Sequence, residues 1–197
     1  MRYSAEHTRE TRTRIINAAG ELFRKEGYGG SGIDGLTKAA GVTNGAFYGH
    51  FKTKRDAFRT AIVAGLEDLR RGISEIKATG AKDWLRTFVD FYLGPKRICD
   101  IGESCALPSL SPDVMRADIE TRIVYQAELL GIIAEISAGL PGRSENARDE
   151  TAITLLALLS GGVVLARTVP DPALSERIAQ AVKRAALAMD PSLSQGT

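Results

Sequence analysis

Apolar residues recur every three or four positions along most of the chain, and no stretch alternates convincingly between apolar and polar positions. The first apolar stripe lies in TRTRIINAAGELFRKEGYGG, residues 11–30, and is predicted to end at Gly27. A spacing of three to four is typical of an amphipathic helix, whereas alternation is typical of a strand. The pattern therefore predicts an all-α protein.

Two short helices are predicted in the next twenty residues. SGIDGLTKAAG opens with Ser31 and Asp34 in the spacing of a capping box and closes at Gly41, which can adopt the left-handed backbone of a tight turn. The following helix begins with Thr43 as its N-cap. Two short helices joined in this way have the spacing of a helix-turn-helix, which we place at residues 32–51.

Longer helices are predicted for the remainder. Thr53 and Asp56 form a second capping box that begins a helix reaching about Lys77, and AKDWLRTFVDFYL is a further amphipathic segment. The stretch 94–112 is rich in glycine and proline, which predicts a loop with room for one short helix. Long helices are then expected over 113–139, 144–166 and 172–189, giving about nine helices in total.

Charge is distributed unevenly over the 197 residues. Residues 1–56 contain ten Lys and Arg against six Asp and Glu, whereas residues 57–197 contain sixteen against eighteen. A basic N-terminal part favours a nucleic-acid partner, although the asymmetry is mild. We find no run of eighteen apolar residues and no apolar leader, so we expect a cytoplasmic protein without a membrane partner.

The segment GVTNGAFYGHFKTKRDAF, residues 41–58, carries the side chains best suited to contact DNA. The N-terminal residues of a recognition helix face base edges, and residues 43–46 offer donors, acceptors and a methyl group. The next helix would bind phosphate through its free N–H groups and two lysines. The candidate DNA-binding residues are Ser31, Gly32, Thr43, Asn44, Gly45, Ala46, Tyr48, His50, Lys52 and Lys54.

Residues 9–69 resemble the N-terminal domain of the tetracycline-repressor (TetR) family. The elements AA..LF...GY, I..L...AGV and G.FY.HF..K occur in the order and at the spacing of that family. The resemblance implies a three-helix DNA-binding head over 9–69 and a C-terminal helical body, over 70–197, that binds a ligand and dimerises.

The resemblance also implies roles for single residues. Residues that match Thr43, Asn44, Gly45 and Tyr48 contact operator DNA in that family, and the residue that matches Lys54 binds phosphate. One departure is a glycine in Gly30-Ser31-Gly32 where the family more often has threonine, which leaves Ser31 as the expected phosphate ligand.

The segment TAITLLALLSGGVVLARTV, residues 151–169, is apolar nearly all round, so it must be buried in a core or an interface. We expect this helix and the last helix from each of two copies to form a four-helix bundle in a two-fold homodimer. Two-fold symmetry predicts a palindromic double-stranded operator, with recognition helices about 34–36 Å apart. The predicted interface residues are Leu156, Leu159, Gly162, Val163, Ile178 and Val182.

A pocket for an unidentified small-molecule effector is predicted in the body. Aromatic residues at helical spacing could line an apolar cavity, although the same spacing fits an ordinary helix core. The candidate lining residues are Trp84, Phe88, Phe91, Tyr92, Cys105, Met115 and Tyr125.

Other functions remain open at this point. Cys105, in GESCALPSLSPDV, could serve a thiol-based sensor of oxidants or electrophiles if it were exposed and ionised, but a buried inert thiol fits better. A helical enzyme and a protein-interaction module are the alternatives from other classes. No base–nucleophile pair, phosphate-binding glycine loop or metal-ligand spacing is present in the sequence. We therefore expect an effector-released transcriptional repressor with no catalytic residues, metal or cofactor.

Overall fold

The computed structural model describes residues 5–79, 83–142 and 144–190, and every regular element within them is helical. Within these residues nine α-helices have seven or more residues: α1 (Ala5–Gly30), α2 (Ile33–Ala40), α3 (Asn44–His50), α4 (Lys54–Ala78), α5 (Trp84–Leu93), α6 (Ala106–Met115), α7 (Ile119–Ser137), α8 (Glu145–Thr168) and α9 (Pro172–Leu187). One α-helical turn, Pro95–Ile98, and one 3₁₀ turn, Ile101–Glu103, lie between α5 and α6. The predicted all-α fold is confirmed.

The helices form two compact units. The first unit comprises the chain up to Gly65 together with Asp100–Tyr125, and the second comprises Leu66–Cys99 and the chain from Gln126 onward. The packing therefore places α6 with the N-terminal helices. The functional boundary expected near residue 69 stays a prediction.

Aromatic side chains fill the core of the first unit. Phe23 of α1 and Phe58 of α4 meet edge to face, with ring centroids 5.0 Å apart. Phe47 of α3 is fully buried, and Phe51 follows it with centroids 5.5 Å apart. Burial of each large apolar side chain stabilises a fold by about 1.5–3 kcal/mol. The buried rings of Phe47 and Phe51 therefore fix the apolar face of α3 and leave its polar face outside.

α1 is kinked at Gly27, the residue at which the sequence pattern predicted the helix to end. Gly27 has φ 71° and ψ 170°, a conformation that residues with a Cβ rarely adopt. The kink directs the N–H of Tyr28 to Asp113 of α6, whose Oδ2 accepts it at 2.9 Å. This hydrogen bond connects the end of α1 to α6 within the first unit.

The prediction of a loop up to residue 112 is wrong, because α6 begins at Ala106. Pro108 lies in the first turn of α6, where a missing N–H costs no helical hydrogen bond. The single helix expected from residue 113 is also wrong, because α6 ends at Met115 and Asp118 caps a new helix. Its Oδ1 accepts the N–H of Thr121 at 2.8 Å, which starts α7.

The second unit is built on α5, α8 and α9, which pack against one another. Phe88 and Tyr92 of α5 are buried, as are Leu155 and Leu159 of α8. Arg167 at the end of α8 donates to three backbone carbonyls, those of Lys96, Arg97 and Cys99. One guanidinium therefore satisfies three carbonyls at the end of the helical turn Pro95–Ile98.

Candidate nucleic-acid interface

The polar face of α3 is open to solvent. Thr43 is the N-cap, as predicted, and its Oγ1 accepts the N–H of Ala46 at 3.2 Å. Gly45 and Gly49 are exposed, and Tyr48 between them is 55% exposed. The Tyr48 ring meets Phe47 edge to face at 5.5 Å, which supports the ring on the core. α3 therefore presents one large aromatic side chain between two positions with bare backbone.

The turn between α2 and α3 has the predicted geometry. Gly41 is left-handed, with φ 63° and ψ 39°, and its N–H donates to the carbonyl of Lys38 at 3.2 Å. Val42 is half-buried beside the turn, and its N–H donates to the carbonyl of Thr37 at 2.9 Å. This is a tight helix-turn-helix in which α2 supports α3.

The side chain of Asn44, the first residue of α3, bonds to two residues of α2. Its Nδ2 donates to Asp34 Oδ1 at 2.9 Å, and its Oδ1 accepts from Thr37 Oγ1 at 2.9 Å. Asn44 and Asp34 are both exposed, whereas Thr37 is buried. Neither Asp34 nor Thr37 was among the predicted site residues. Asn44 lies seven residues from Thr37 and ten from Asp34, across a turn, so no rule of helical spacing predicts either contact.

The prediction that Ser31 binds phosphate through its hydroxyl is wrong. Ser31 is 1% exposed, and its hydroxyl donates to the carbonyl of Gly27 at 2.8 Å. The capping box of Ser31 with Asp34 is wrong for the same reason. Gly32 is the N-cap of α2, with extended backbone and no side-chain cap. Gly32 is exposed, so its backbone alone remains available at this end of α2.

The ammonium group of Lys54 donates hydrogen bonds within the protein. Its Nζ donates to the carbonyls of Tyr28 at 2.7 Å and Ser31 at 2.8 Å, and it lies 4.1 Å from the centre of the Tyr28 ring. Lys54 therefore ties the start of α4 to the connection between α1 and α2. Lys52 is exposed and His50 is half-buried, so Lys52 offers the more accessible charge. Phosphate binding by these three residues stays a prediction.

The start of α4 has the predicted capping box. The N–H of Thr53 donates to Asp56 Oδ2, and the N–H of Asp56 donates to Thr53 Oγ1, both at 3.1 Å. The box uses two N–H groups at the helix end and places a carboxylate beside them. This end of α4 is therefore a weaker anion site than its two lysines alone suggested.

The residues predicted to line an effector pocket are divided between the two units. In the second unit Trp84, Phe88 and Tyr92 are buried, and Trp84 Nε1 donates to the carbonyl of Gly139 at 3.1 Å. Phe91 is exposed, with Lys96 Nζ 5.9 Å from its ring centre. Phe91 therefore does not share the buried wall of its three neighbours. Effector binding by them stays a prediction.

The other predicted pocket residues belong to the first unit. Met115 is exposed, so it lines no enclosed wall within this unit. Burial raises the pKa of the Tyr125 phenol, whose oxygen lies 2.7 Å from Ser111 Oγ. Cys105 is only 9% exposed. A thiol sensor needs an accessible thiolate, so this burial does not favour the redox alternative.

Four of the predicted interface residues are unavailable to a second copy. Leu156, Leu159, Gly162 and Val163 are buried within one chain, because they form the face of α8 that packs inside the second unit. Val182 of α9 packs on Gly162. Their assignment to a dimer interface is therefore corrected. Ile178 and Val182 are both half-buried, so each keeps some accessible surface.

The faces of α8 and α9 that point away from the core of the second unit carry an exposed apolar surface. Leu165 is 61% exposed and Ile153 is 50% exposed, spaced by twelve residues on one side of α8. We name this surface the α8–α9 stripe, and it consists of Ile153, Ala157, Gly161, Val164 and Leu165 of α8 with Leu174, Ile178, Ala181 and Ala185 of α9. By length and composition alone α8 could cross a membrane, but core helices of soluble proteins pass the same test. A large exposed apolar patch marks an interaction surface.

An ionic cluster joins α4 to the start of α7 within the first unit. Asp118 accepts from Arg59 Nη2 at 2.9 Å, and Arg55 Nε lies 2.9 Å from its other oxygen. Arg59 also pairs with Glu120 at 2.8 Å and donates to Thr121 Oγ1 at 3.0 Å. The N-cap of α7 is therefore also the anion that holds two arginines of α4.

Acid is expected to weaken the fold through Asp118. The N–H of Thr121, followed by the hydrogen bond and charge of Arg59, lowers the pKa of Asp118 from 3.8 to about 2. At a pH between these two pKa values, Asp118 binds a proton in the unfolded chain but not in the folded chain. The stability from Asp118 is therefore complete above about pH 4 and is lost as the pH falls towards 2.

Asp118→Asn should accordingly flatten the decline in the free energy of unfolding between pH 5 and pH 2, as measured by urea unfolding. Asp83→Asn removes an exposed carboxylate elsewhere and should keep the wild-type decline. An unchanged decline in Asp118→Asn would contradict the assigned role.

Comparison with known proteins relates the N-terminal helices to a family of regulators. Residues 15–60 match the family model described as bacterial regulatory proteins, tetR family. The chain is 42% identical over 57 residues to the HTH-type transcriptional regulator AcrR of Shigella flexneri, covering 29% of this chain and 26% of that protein. It is 27% identical over 114 residues to the HTH-type transcriptional repressor DhaR of Mycobacterium sp. strain GP1, covering 55% of this chain and 57% of that protein. The matched segments thus span about a quarter to about half of these relatives.

The fold extends the similarity beyond the N-terminal segment. The crystal structure of the reduced form of NemR from E. coli superposes with a TM-score of 0.73 at 20% identity, covering 89% of this chain and 96% of that chain. At this identity the likeness concerns the fold. The helix-turn-helix segment therefore matches the tetR family of bacterial regulatory proteins, and the described helices share the fold of that solved structure.

Proposed function

We propose that the protein is a transcriptional repressor that binds palindromic double-stranded operator DNA as a homodimer. The observation that carries the proposal is the exposed face of α3, where Tyr48 stands between two glycines on a helix fixed by a buried aromatic core. Such a helix can enter the major groove, and bare backbone on both sides of the ring permits close approach to the bases. The relatives are named as transcriptional regulators, one of them as a repressor.

The α8–α9 stripe is the proposed dimer surface. Two adjacent helices with apolar outer faces form a four-helix bundle when a two-fold axis brings a second copy against them. Gly161 lies within the stripe, and a Cβ at that position would meet nothing within 4 Å in the single chain. A helix of the second copy could therefore approach the backbone closely there.

A small-molecule effector bound in the body is proposed to release the protein from DNA. The proposal is supported by two ties within the first unit, Asp113 to the Tyr28 N–H and Asp118 to Arg59, which link residues 100–125 to the N-terminal helices. An effector releases DNA only if it binds better to the state that cannot bind DNA. A coupling of about 1–3 kcal/mol gives roughly 5- to 150-fold release. This role is that of a cytoplasmic regulator without catalytic activity.

Selection of fragments of the source genome on the purified protein tests the proposal. We expect enrichment of a palindromic site that is bound at least about 10³-fold more tightly than random DNA, with affinity that falls steeply with salt. Tyr48→Ala should weaken binding to the selected site by more than tenfold while leaving the circular dichroism spectrum unchanged, because the ring is exposed. Failure to enrich any site would refute the repressor function.

A further inference from the structure

An acidic side chain lies on the surface proposed to face DNA. Asp34 in the first turn of α2 is exposed, and its Oδ1 accepts the amide of Asn44 at the start of α3. Because the N-terminal residues of a recognition helix face base edges, a carboxylate 2.9 Å from Asn44 Nδ2 lies close to the same bases. A negative charge there repels phosphates, so it favours binding only where a base supplies a donor.

The hydrogen bonds of Asn44 settle which way its amide is turned. An ionised carboxylate only accepts hydrogen bonds, so the NH₂ of Asn44 must face Asp34. Its oxygen then faces Thr37 Oγ1 at 2.9 Å, where the hydroxyl can donate. One N–H of Asn44 is thereby used and one remains for a ligand. Asp34 likewise keeps several lone pairs for a second donor.

We propose that Asp34 and Asn44 act as one unit that reads a cytosine–guanine base pair in the major groove, an inference that rests on the proposed function. The carboxylate of Asp34 accepts from the N4 amino group of cytosine, and the remaining N–H of Asn44 donates to O6 of the paired guanine. The buried Thr37 hydroxyl holds the amide in this orientation.

Cytosine meets these requirements best among the four bases. In the major groove cytosine presents a donor alone, whereas guanine and thymine present acceptors that would face the carboxylate. Adenine offers a donor, but its N7 acceptor lies beside it. The pair of side chains therefore selects cytosine partly by repelling the alternatives.

The test is selection of randomised double-stranded DNA on the full-length protein and its Asp34→Asn, Asp34→Ala and Asn44→Ala variants. We expect wild type to require a C·G pair at one position of each half-site. Asp34→Asn and Asn44→Ala should each reduce that preference by about tenfold or more. Asp34→Ala should abolish the preference and bind random DNA more tightly than wild type, because a repulsive charge has been removed.

Lys38→Ala is the matched control, since Lys38 lies one turn further along the same exposed side of α2. Loss of its positive charge should weaken binding to all sequences equally and keep the preferred bases. Thermal melts check that each variant is folded.

Two results would overturn the inference and leave the repressor function standing. One is a selected site without a required C·G pair, and the other is a base preference unchanged by Asp34→Asn. The proposed function fails by a different result, in which the wild-type protein selects no site at all.

Discussion

Leu165→Asp should convert the proposed dimer into monomers and remove most of the affinity for a palindromic site. Leu165 is 61% exposed in the single chain and belongs to the α8–α9 stripe, near the C-terminal end of α8. In a two-fold interface the change places two carboxylates in apolar surroundings and removes two leucine contacts. Burying an unpaired charge costs several kcal/mol, so we expect dimer dissociation to be favoured by about 10³-fold or more.

Analytical ultracentrifugation measures the dimer dissociation constant, and fluorescence anisotropy measures binding to the selected site. A monomer has one recognition helix and contacts one half-site, so binding to the full palindrome should fall in parallel with dimerisation. Ile98→Asp is the matched control. Ile98 is 72% exposed and lies outside α8 and α9. The control therefore also replaces an exposed apolar side chain with a carboxylate. A dimer that survives Leu165→Asp would place the interface elsewhere.

The helix-turn-helix could be predicted because each of its signals is local. Gly41 permits the turn, Thr43 caps the helix that follows, and Phe47 with Phe51 marks the buried face. Each signal depends on residues at most a few positions apart, and a helix imposes such spacings itself. Ser31 shows the limit of this reasoning. Its spacing to Asp34 suited a capping box, but its hydroxyl satisfies the carbonyl exposed by the kink at Gly27.

The body was harder to predict because its signals are not local. α8 is apolar nearly all round, so periodicity alone could not separate the face that meets α9 from the face left exposed. The six predicted interface residues were therefore drawn mostly from the buried side. The Asp34–Asn44 pair was missed for a related reason, since ten residues and a turn separate its members. Such contacts depend on the packing of whole helices.

Close contact between α8 and α9 makes Gly162 sensitive to added volume. A Cβ on Gly162 would lie 2.7 Å from Cγ2 and 2.8 Å from Cγ1 of Val182. Val182 is branched at Cβ, and a stiff side chain in a helix has few other rotamers to adopt. Any larger residue at position 162 must therefore push the two helices apart.

Gly162→Leu should lower the free energy of unfolding by about 3 kcal/mol, measured by urea denaturation, because overpacking a core costs 1–3 kcal/mol or more. Gly162→Ala should also destabilise, even though alanine is favoured over glycine in a helix by up to about 1 kcal/mol. Gly72→Ala in α4 is the matched control. A Cβ at Gly72 would meet nothing within 4 Å, so only the gain in helix propensity should remain and stability should rise.

Val182→Ala should rescue Gly162→Ala, because it removes both methyl groups that the new Cβ would strike. The two substitutions are expected to be non-additive, and the double variant should be more stable than the sum of the two single changes predicts. Additive effects, or a Gly162→Ala variant as stable as Gly72→Ala, would mean that α8 and α9 are not held at this separation. Because the α8–α9 stripe spans both helices, the same contact would set the spacing of the two halves of the proposed dimer surface.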